Sequence, residues 1–247
     1  MATTWYDGEV IDIIDETPTT KRFWVKVPDL DRFDFQPGQF VTMDLPIHEK
    51  RLQRWRSYSI ASAPTDTNTL EFCIVKLKGG LATQYLFDDV KPGSSIRFKG
   101  PNGVFTLPSS IEKDLVMICT GTGVAPFRSM LQHLQHTGQT HRNIHLIFGT
   151  RYAEGILYQS EFVALQKTKP EFRFSVALSK EPVIDPALFD FEVKSGYVHQ
   201  LYQSAYAQQR EDVLFYLCGW QNMVDQAVVN LEKMGYQKNQ IITELYG

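Results

Sequence analysis

The sequence is poor in cysteine, has no long apolar run and carries no excess of positive charge. Each shortage removes a class of function. Its three cysteines (Cys73, Cys119 and Cys218) are odd in number, far apart and flanked by strand-like residues. That pattern fits reduced thiols in a cytoplasm rather than a disulfide framework. It also falls short of the four clustered thiolates that hold an iron–sulfur centre. No apolar stretch reaches the length of a membrane span, and the N-terminus MATTWYDGEV lacks a basic segment followed by an apolar one. Neither a membrane anchor nor a secretory leader is therefore expected. The net charge of −3 supplies no overall positive field to recruit nucleic acid or anionic lipid. Metal-ligand spacing is missing too: His133, His136, His141 and His145 cluster in HLQHTGQTHRNIH with no cysteine or carboxylate at ligand spacing, and no metal is expected. Neither a serine–histidine–acid order nor an HExxH helix occurs, which argues against hydrolysis.

What is present falls into two rhythms. Up to about residue 107 the chain reads as short β-rich segments (WYDGEVIDII, KRFWVKV, QFVTMDL, RSYSIA, LEFCIVKL, SIRFKG) divided by TPT, PGQ, APTDTN, KPGSS and GPNG. Six or so such strands at close spacing predict an N-terminal antiparallel barrel or sandwich. After LPSSIEKD the runs DLVMICT, NIHLIFGT, FRFSVALS and VLFYLCG are near-continuously apolar, as in strands buried on both faces of a parallel sheet. Helical patterns separate them. In PFRSMLQHLQ, Phe127, Met130, Leu131 and Leu134 recur at helical spacing, with Pro126 suited to the first helical position. GILYQSEFVALQK, VHQLYQSAYAQQ and QNMVDQAVVNLEKM fill the other gaps. The alternation predicts a C-terminal doubly wound α/β domain, with residues 1–110 forming the first domain and 111–247 the second.

Two loops have the composition of phosphate sites. CTGTGVAP joins the first α/β strand to its helix, and Gly121 and Gly123 let the backbone turn sharply beside a ligand while the helix start favours an anion. The spacing G-x-G-x-x-P lacks the third glycine of the dinucleotide fingerprint, so a plain strand-to-helix turn is the competing reading. In the barrel half, KGGLATQYL ends a strand with Gly79 and Gly80, and Thr83 is suited to cap the short helix TQYLFD. A simple capped turn is the alternative there.

RSYS, GGLAT, GPNGVF, GTGVAPF and CGWQNM occur in that order, and the chain closes on TELYG. Together they resemble the ferredoxin–NADP reductase family over essentially the whole chain, which implies a flavin-binding, antiparallel six-stranded Greek-key β-barrel followed by a nicotinamide-nucleotide domain. By that resemblance Arg56 pairs with the flavin pyrophosphate, Tyr58 lies flat on the isoalloxazine ring and Ser59 offers a hydrogen bond near flavin N5. Thr83 contacts the pyrophosphate, Leu81 and Ala82 supply backbone groups, and Thr122 lies close to the flavin. Arg54 receives no family role. Gly121, Thr122 and Gly123 take the pyrophosphate of the nicotinamide nucleotide, and Cys218 and Gly219 sit beside the nicotinamide. Cys119 is better explained as an inert buried thiol. Glu244 and Tyr246 match the E-x-Y ending in which a terminal aromatic stacks on the flavin, although Gly247 follows here; without the resemblance, ELYG reads as a frayed end.

The resemblance implies an FAD-dependent oxidoreductase that moves hydride between NADPH and flavin and single electrons to or from a partner. Arg151 after the second α/β strand and Lys180 after the third favour a 2′-phosphate, hence NADPH, with NADH possible. A small acidic carrier (ferredoxin or flavodoxin) or an oxygenase component is the expected partner, met by a basic rim of Lys21, Arg22, Arg51, Arg54 and Lys78. A cytoplasmic monomer is expected. The competing functions are a free-flavin reductase, an NADH-dependent reductase component of an oxygenase, and a nucleotide-binding module without turnover.

Overall fold

The computed structural model describes residues 4–246. Met1, Ala2, Thr3 and Gly247 lie outside the described residues, and with them the start of the segment inspected for a leader and the residue that departs from the E-x-Y ending. The chain groups into two compact units: Met1–Leu107 with Ala125–Gly138, and Pro108–Val124 with Gln139–Gly247.

The first unit contains β1 (Trp5–Thr17), β2 (Thr20–Lys26), β3 (Phe40–Asp44), β4 (Trp55–Ser59), β5 (Thr69–Val75) and β6 (Ser95–Asn102). Their order is β4-β3-β6-β1-β2-β5, with every neighbouring pair antiparallel. A bridge between Ile60 and Phe72 joins the two end strands and closes the sheet into the expected barrel. Side chains of alternating residues fill the interior, among them Val10, Phe23, Val25, Val41, Met43, Phe72, Ile96 and Phe98. Each such aliphatic or aromatic side chain contributes about 1.5–3 kcal/mol through burial.

Two helices belong to this unit, α1 (Leu81–Asp88) and α2 (Ala125–Thr137). Helix α2 buries Phe127, Met130, Leu131 and Leu134, the stripe its sequence predicts. The Phe127 ring lies 5.7 Å from that of Phe105. Chain order puts this helix in the α/β half, but its packing groups it with the barrel.

The second unit holds a six-stranded parallel sheet of β7 (Asp114–Thr120), β8 (Ile144–Thr150), β9 (Phe172–Leu178), β10 (Glu192–Ser195), β11 (Val213–Trp220) and β12 (Ile241–Tyr246), in the order β10-β9-β8-β7-β11-β12. Helix α3 (Gln159–Thr168) packs Phe162 against Phe174 on one face, with the ring centroids 5.3 Å apart. Helices α4 (His199–Ala205) and α5 (Gln221–Lys233) cover the other face, closing Leu201, Tyr202, Val224 and Leu231 over Val116, Ile118, Phe215 and Leu217. This is the doubly wound arrangement. Strands β10 and β12 were not expected: the first is four residues long. The second includes Glu244, Leu245 and Tyr246 of the expected frayed end, ordered by its parallel register on β11. No helix among the described residues is long and apolar enough to cross a membrane.

His145 lies inside this unit, not at a metal. One ring nitrogen is 3.0 Å from the Tyr206 hydroxyl and the other 2.9 Å from Ser175 Oγ, which donates onward to Glu192 at 2.9 Å. Burial, reinforced by the Arg173 charge and opposed by Glu192, pushes its pKa from 6.5 down to about 3. The neutral ring is thus required by the fold. Because the unfolded chain takes up the proton near pH 6.5 and the folded chain does not, stability is lost as pH falls below that value. The expected loss between pH 7 and pH 5 is about 2 kcal/mol. Urea unfolding at both pH values tests this, since His145→Asn should remove most of that slope; an unchanged slope contradicts it.

Candidate functional site

In the barrel unit, the residues that open the candidate site stand on β4, opposite β3. Arg56 faces Met43 and Tyr58 faces Val41 in the ladder, so strand period puts both side chains on one face; Ser59 falls on the other and is buried. Arg56 is exposed, and its Nη1 donates to the Gln53 and Trp55 carbonyls at 3.0 and 2.7 Å, which holds the guanidinium against the turn before β4. Tyr58 packs its ring on the barrel core, and burial pushes its phenol up to about 12. It stays neutral at any working pH.

The second part of this site is the turn from β5 into α1. Gly79 adopts φ +77°, a conformation open to glycine, with free space where a side chain would stand. Thr83 does not cap α1 as expected. Gly80 occupies the cap position, and Thr83, inside the first turn, accepts from the Leu77 N–H at 3.0 Å and donates to the Gly80 carbonyl at 3.1 Å. The hydroxyl stiffens the turn, and no side chain caps the first-turn amides of Leu81, Ala82 and Thr83. Uncapped amides at a helix start are a suitable donor set for a phosphate.

In the second unit, β8, β9 and β10 extend to one side of β7 and β11 to the other, so the strand order reverses between β7 and β11. Ligands of open α/β sheets settle at that switch, beyond the carboxyl ends of the strands. Gly121–Val124 forms a single 3-10 turn there. Gly121 has φ +52° and open space beside it, whereas a Cβ on Gly123 would collide with the Cys218 carbonyl. Gly219, at φ +142°, meets the mirror constraint, because its Cβ would strike the Thr120 hydroxyl. The Trp220 N–H reaches that same hydroxyl at 3.4 Å. Two backbones are therefore pressed together, leaving open space on the Gly121 side.

Cys218 is fully buried, with Cys119 and Glu244 as its register neighbours on β7 and β12. Burial raises its thiol pKa well above the ordinary value, the Glu244 and Cys119 charges add to this, and a hydrogen bond from Tyr246 opposes it. It is a protonated thiol, not a nucleophile. Tyr246 stands opposite Trp220 in the ladder, so the structure brings together Cys218, Glu244 and Tyr246.

Arg151 and Lys180, exposed at the ends of β8 and β9, are also brought together: the Lys180 N–H donates to the Arg151 carbonyl at 2.9 Å. Sequence reasoning passed over Glu181, whose carboxylate accepts from the Ala153 N–H at 2.6 Å and so places an acid in the same pair of loops. Its partner lies 28 residues away, and no local signal marks the pair. Of the five cations expected to form a basic rim, Lys78 is exposed and the other four have neighbours. Arg22 pairs with Glu71 at 2.6 Å, Arg54 with Asp44 at 2.8 Å and Lys21 with Asp15 at 3.9 Å, while Arg51 lies over the rings of Trp5 and Trp55. Among the described residues no group of three or more His, Cys, Asp or Glu side chains is placed to hold a metal.

A family model for an oxidoreductase FAD-binding domain matches residues 7–107, and one for an oxidoreductase NAD-binding domain matches residues 117–228. Ferredoxin–NADP reductase B of Sorangium cellulosum is 30% identical over 175 residues, covering 71% of this chain and 70% of that protein. The chain belongs to the ferredoxin–NADP reductase family. It carries an FAD-binding and an NAD-binding domain, and the uncapped α1 amides and the open Gly121 turn fit the phosphates of two such nucleotides. Its fold is similar to that of a ferredoxin–NADP reductase from Neisseria gonorrhoeae solved with bound FAD and NADP, with TM-score 0.78, 25% identity and 99% of each chain covered. The reductase component of propane 2-monooxygenase from Rhodococcus jostii is 32% identical over 218 residues, 87% of this chain but only 56% of that protein. The chain thus spans little more than half the length of that relative.

The close approach in the second unit separates two glycines by cause. Gly123→Ala meets rigid backbone and is expected to cost about 3 kcal/mol. Gly121→Ala meets open space and should cost only the left-handed penalty, about 1 kcal/mol. Urea unfolding of both variants decides it, and the reverse order would contradict the packing account.

Proposed function

We propose that this reductase-family chain is an FAD-dependent oxidoreductase that exchanges electrons between NADPH and a separate acceptor. The acceptor is a small acidic ferredoxin or flavodoxin, or an oxygenase component. The observation that carries the reading is the pair of phosphate-ready backbone turns, one before α1 and one after β7. Residues 1–110 form the FAD-binding half and 111–247 the nicotinamide-nucleotide half.

In the first, Arg56, Tyr58, Ser59, Leu81, Ala82 and Thr83 would hold the flavin nucleotide. A planar, permanently charged guanidinium suits phosphate oxygens, and a neutral half-buried phenol offers an aromatic face. In the second, Gly121, Thr122, Gly123 and Gly219 would receive the nicotinamide nucleotide, with Cys218, Glu244 and Tyr246 at its reacting end. When bound, FAD supplies the exchange of a two-electron hydride for single electrons. Cys218, its thiol pKa raised by burial, would then act as a neutral wall. The likeness to an oxygenase reductase component supports an oxygenase as the acceptor class. The three cysteines are buried thiols, which supports a reducing compartment, the cytoplasm.

Arg151 and Lys180, joined by a backbone hydrogen bond, support the 2′-phosphate of NADPH. Glu181 favours the second reading, NADH, because a carboxylate near this position can accept from a ribose 2′-hydroxyl. Steady-state kinetics of an R151A/K180A double variant separate the two. The Michaelis constant for NADPH should rise about tenfold or more while that for NADH moves less than about twofold, in line with the loss of two charge-assisted contacts. Equal changes for both nucleotides would refute the NADPH preference. A protein that loses its FAD on gel filtration would instead be a free-flavin reductase.

A further inference from the structure

Helix α2 is fastened to the barrel by three side chains on adjoining turns. Arg128 Nη1 donates to the Ala61 carbonyl at 3.0 Å and to Glu71 Oε2 at 2.8 Å. Ser129 Oγ donates to the Ser62 carbonyl at 2.6 Å, and Gln132 Oε1 accepts from the Ala63 N–H at 3.2 Å. Glu71 extends the chain outward, its Oε1 accepting from Arg22 Nε at 2.6 Å, and Arg22 reaches Glu16 at 3.4 Å. The Glu71 backbone grips the same segment: its carbonyl accepts from the Ala61 N–H at 2.7 Å and its N–H donates to Ser62 Oγ at 3.1 Å.

Arg128 and Glu71 are 5% and 3% exposed. Two charges this deep lose their hydration, a cost that their attraction offsets only with close geometry and further hydrogen bonds. Apolar side chains would hold a helix on a barrel without that cost. What the ionic arrangement adds is direction: one guanidinium fixes a particular carbonyl and a particular carboxylate oxygen. The carbonyl it fixes belongs to Ala61, two residues beyond Ser59 on the continuation of β4.

We propose that Arg128 is a positioning residue for the flavin site. By holding Ala61 and Glu71 it sets where β4 ends, and with it the placement of Tyr58 and Ser59. This rests on the FAD reading above. A merely structural Arg128 would lower stability but leave the flavin of folded protein unaltered.

The test uses the full chain with Arg128→Met, Arg128→Lys and Ser129→Ala. In flavin-free protein, exchange of the Ala61 and Ala63 amides should accelerate about tenfold in Arg128→Met, as expected for a locally loosened segment. In FAD-loaded protein below its melting temperature, Arg128→Met should shift the flavin absorption bands. It should also slow flavin reduction at saturating nicotinamide nucleotide about tenfold with KM changed less than about threefold, the pattern of lost alignment. Arg128→Lys should recover most of both, and Ser129→Ala should slow reduction about twofold. Wild-type exchange, spectrum and rate in Arg128→Met, or in Ser129→Ala if Arg128→Met does not fold, would overturn the proposal. Wild-type protein that takes up no FAD would instead defeat the functional reading, with the exchange measurement still judging the clamp.

Discussion

The candidate nucleotide site depends on one close approach of two backbones. The turn after β7 meets the end of β11 so tightly that Gly123 has no room for a Cβ against the Cys218 carbonyl, nor Gly219 against Thr120. Such contact fixes the turn without any side chain of its own. The space left open lies beside Gly121, at the point where the sheet order reverses, the place where ligands of open α/β sheets settle. Parallel pairing of β12 on β11 then carries Glu244 and Tyr246 to Cys218. Sheet register brings these three side chains together, and the open space lies beside Gly121.

The barrel solves its part differently. Its turn before α1 is stiffened by Thr83, which satisfies local carbonyl and amide groups and leaves the helix amides uncapped. Its strand end after Ser59 is set by buried charge. A hydroxyl and a guanidinium, both buried, fix the backbone on which the candidate residues stand. Several cations of the barrel are matched with carboxylates, Lys21 with Asp15, Arg22 with the buried Glu71 and Arg54 with Asp44.

Much of this was legible in the sequence where the signal is local. The alternation of the barrel strands, the apolar runs of β7, β8, β9 and β11, the stripe on α2 and the glycines of both turns follow from periodicity and backbone freedom alone. What was missed depends on partners distant in the chain. Glu244 to Tyr246 read as part of a frayed end until β11 offers them a parallel edge. Thr83 looks like a cap until its hydroxyl is seen turned back to Leu77. Arg128 sits inside an apolar stripe, and only its contact with Glu71, 57 residues earlier, explains a charge there. The same holds for Glu181 and for His145, whose ring is buried between Tyr206 and Ser175 and kept neutral by that burial.

The central claim is that the barrel holds FAD and that the second unit delivers a nicotinamide nucleotide able to reduce it. Anaerobic titration of the FAD-loaded protein with NADPH, followed by the visible absorbance of the flavin, tests this most directly. The account predicts stoichiometric loss of the oxidised-flavin bands. Protein that binds FAD but keeps its colour with excess NADPH and with excess NADH would contradict it.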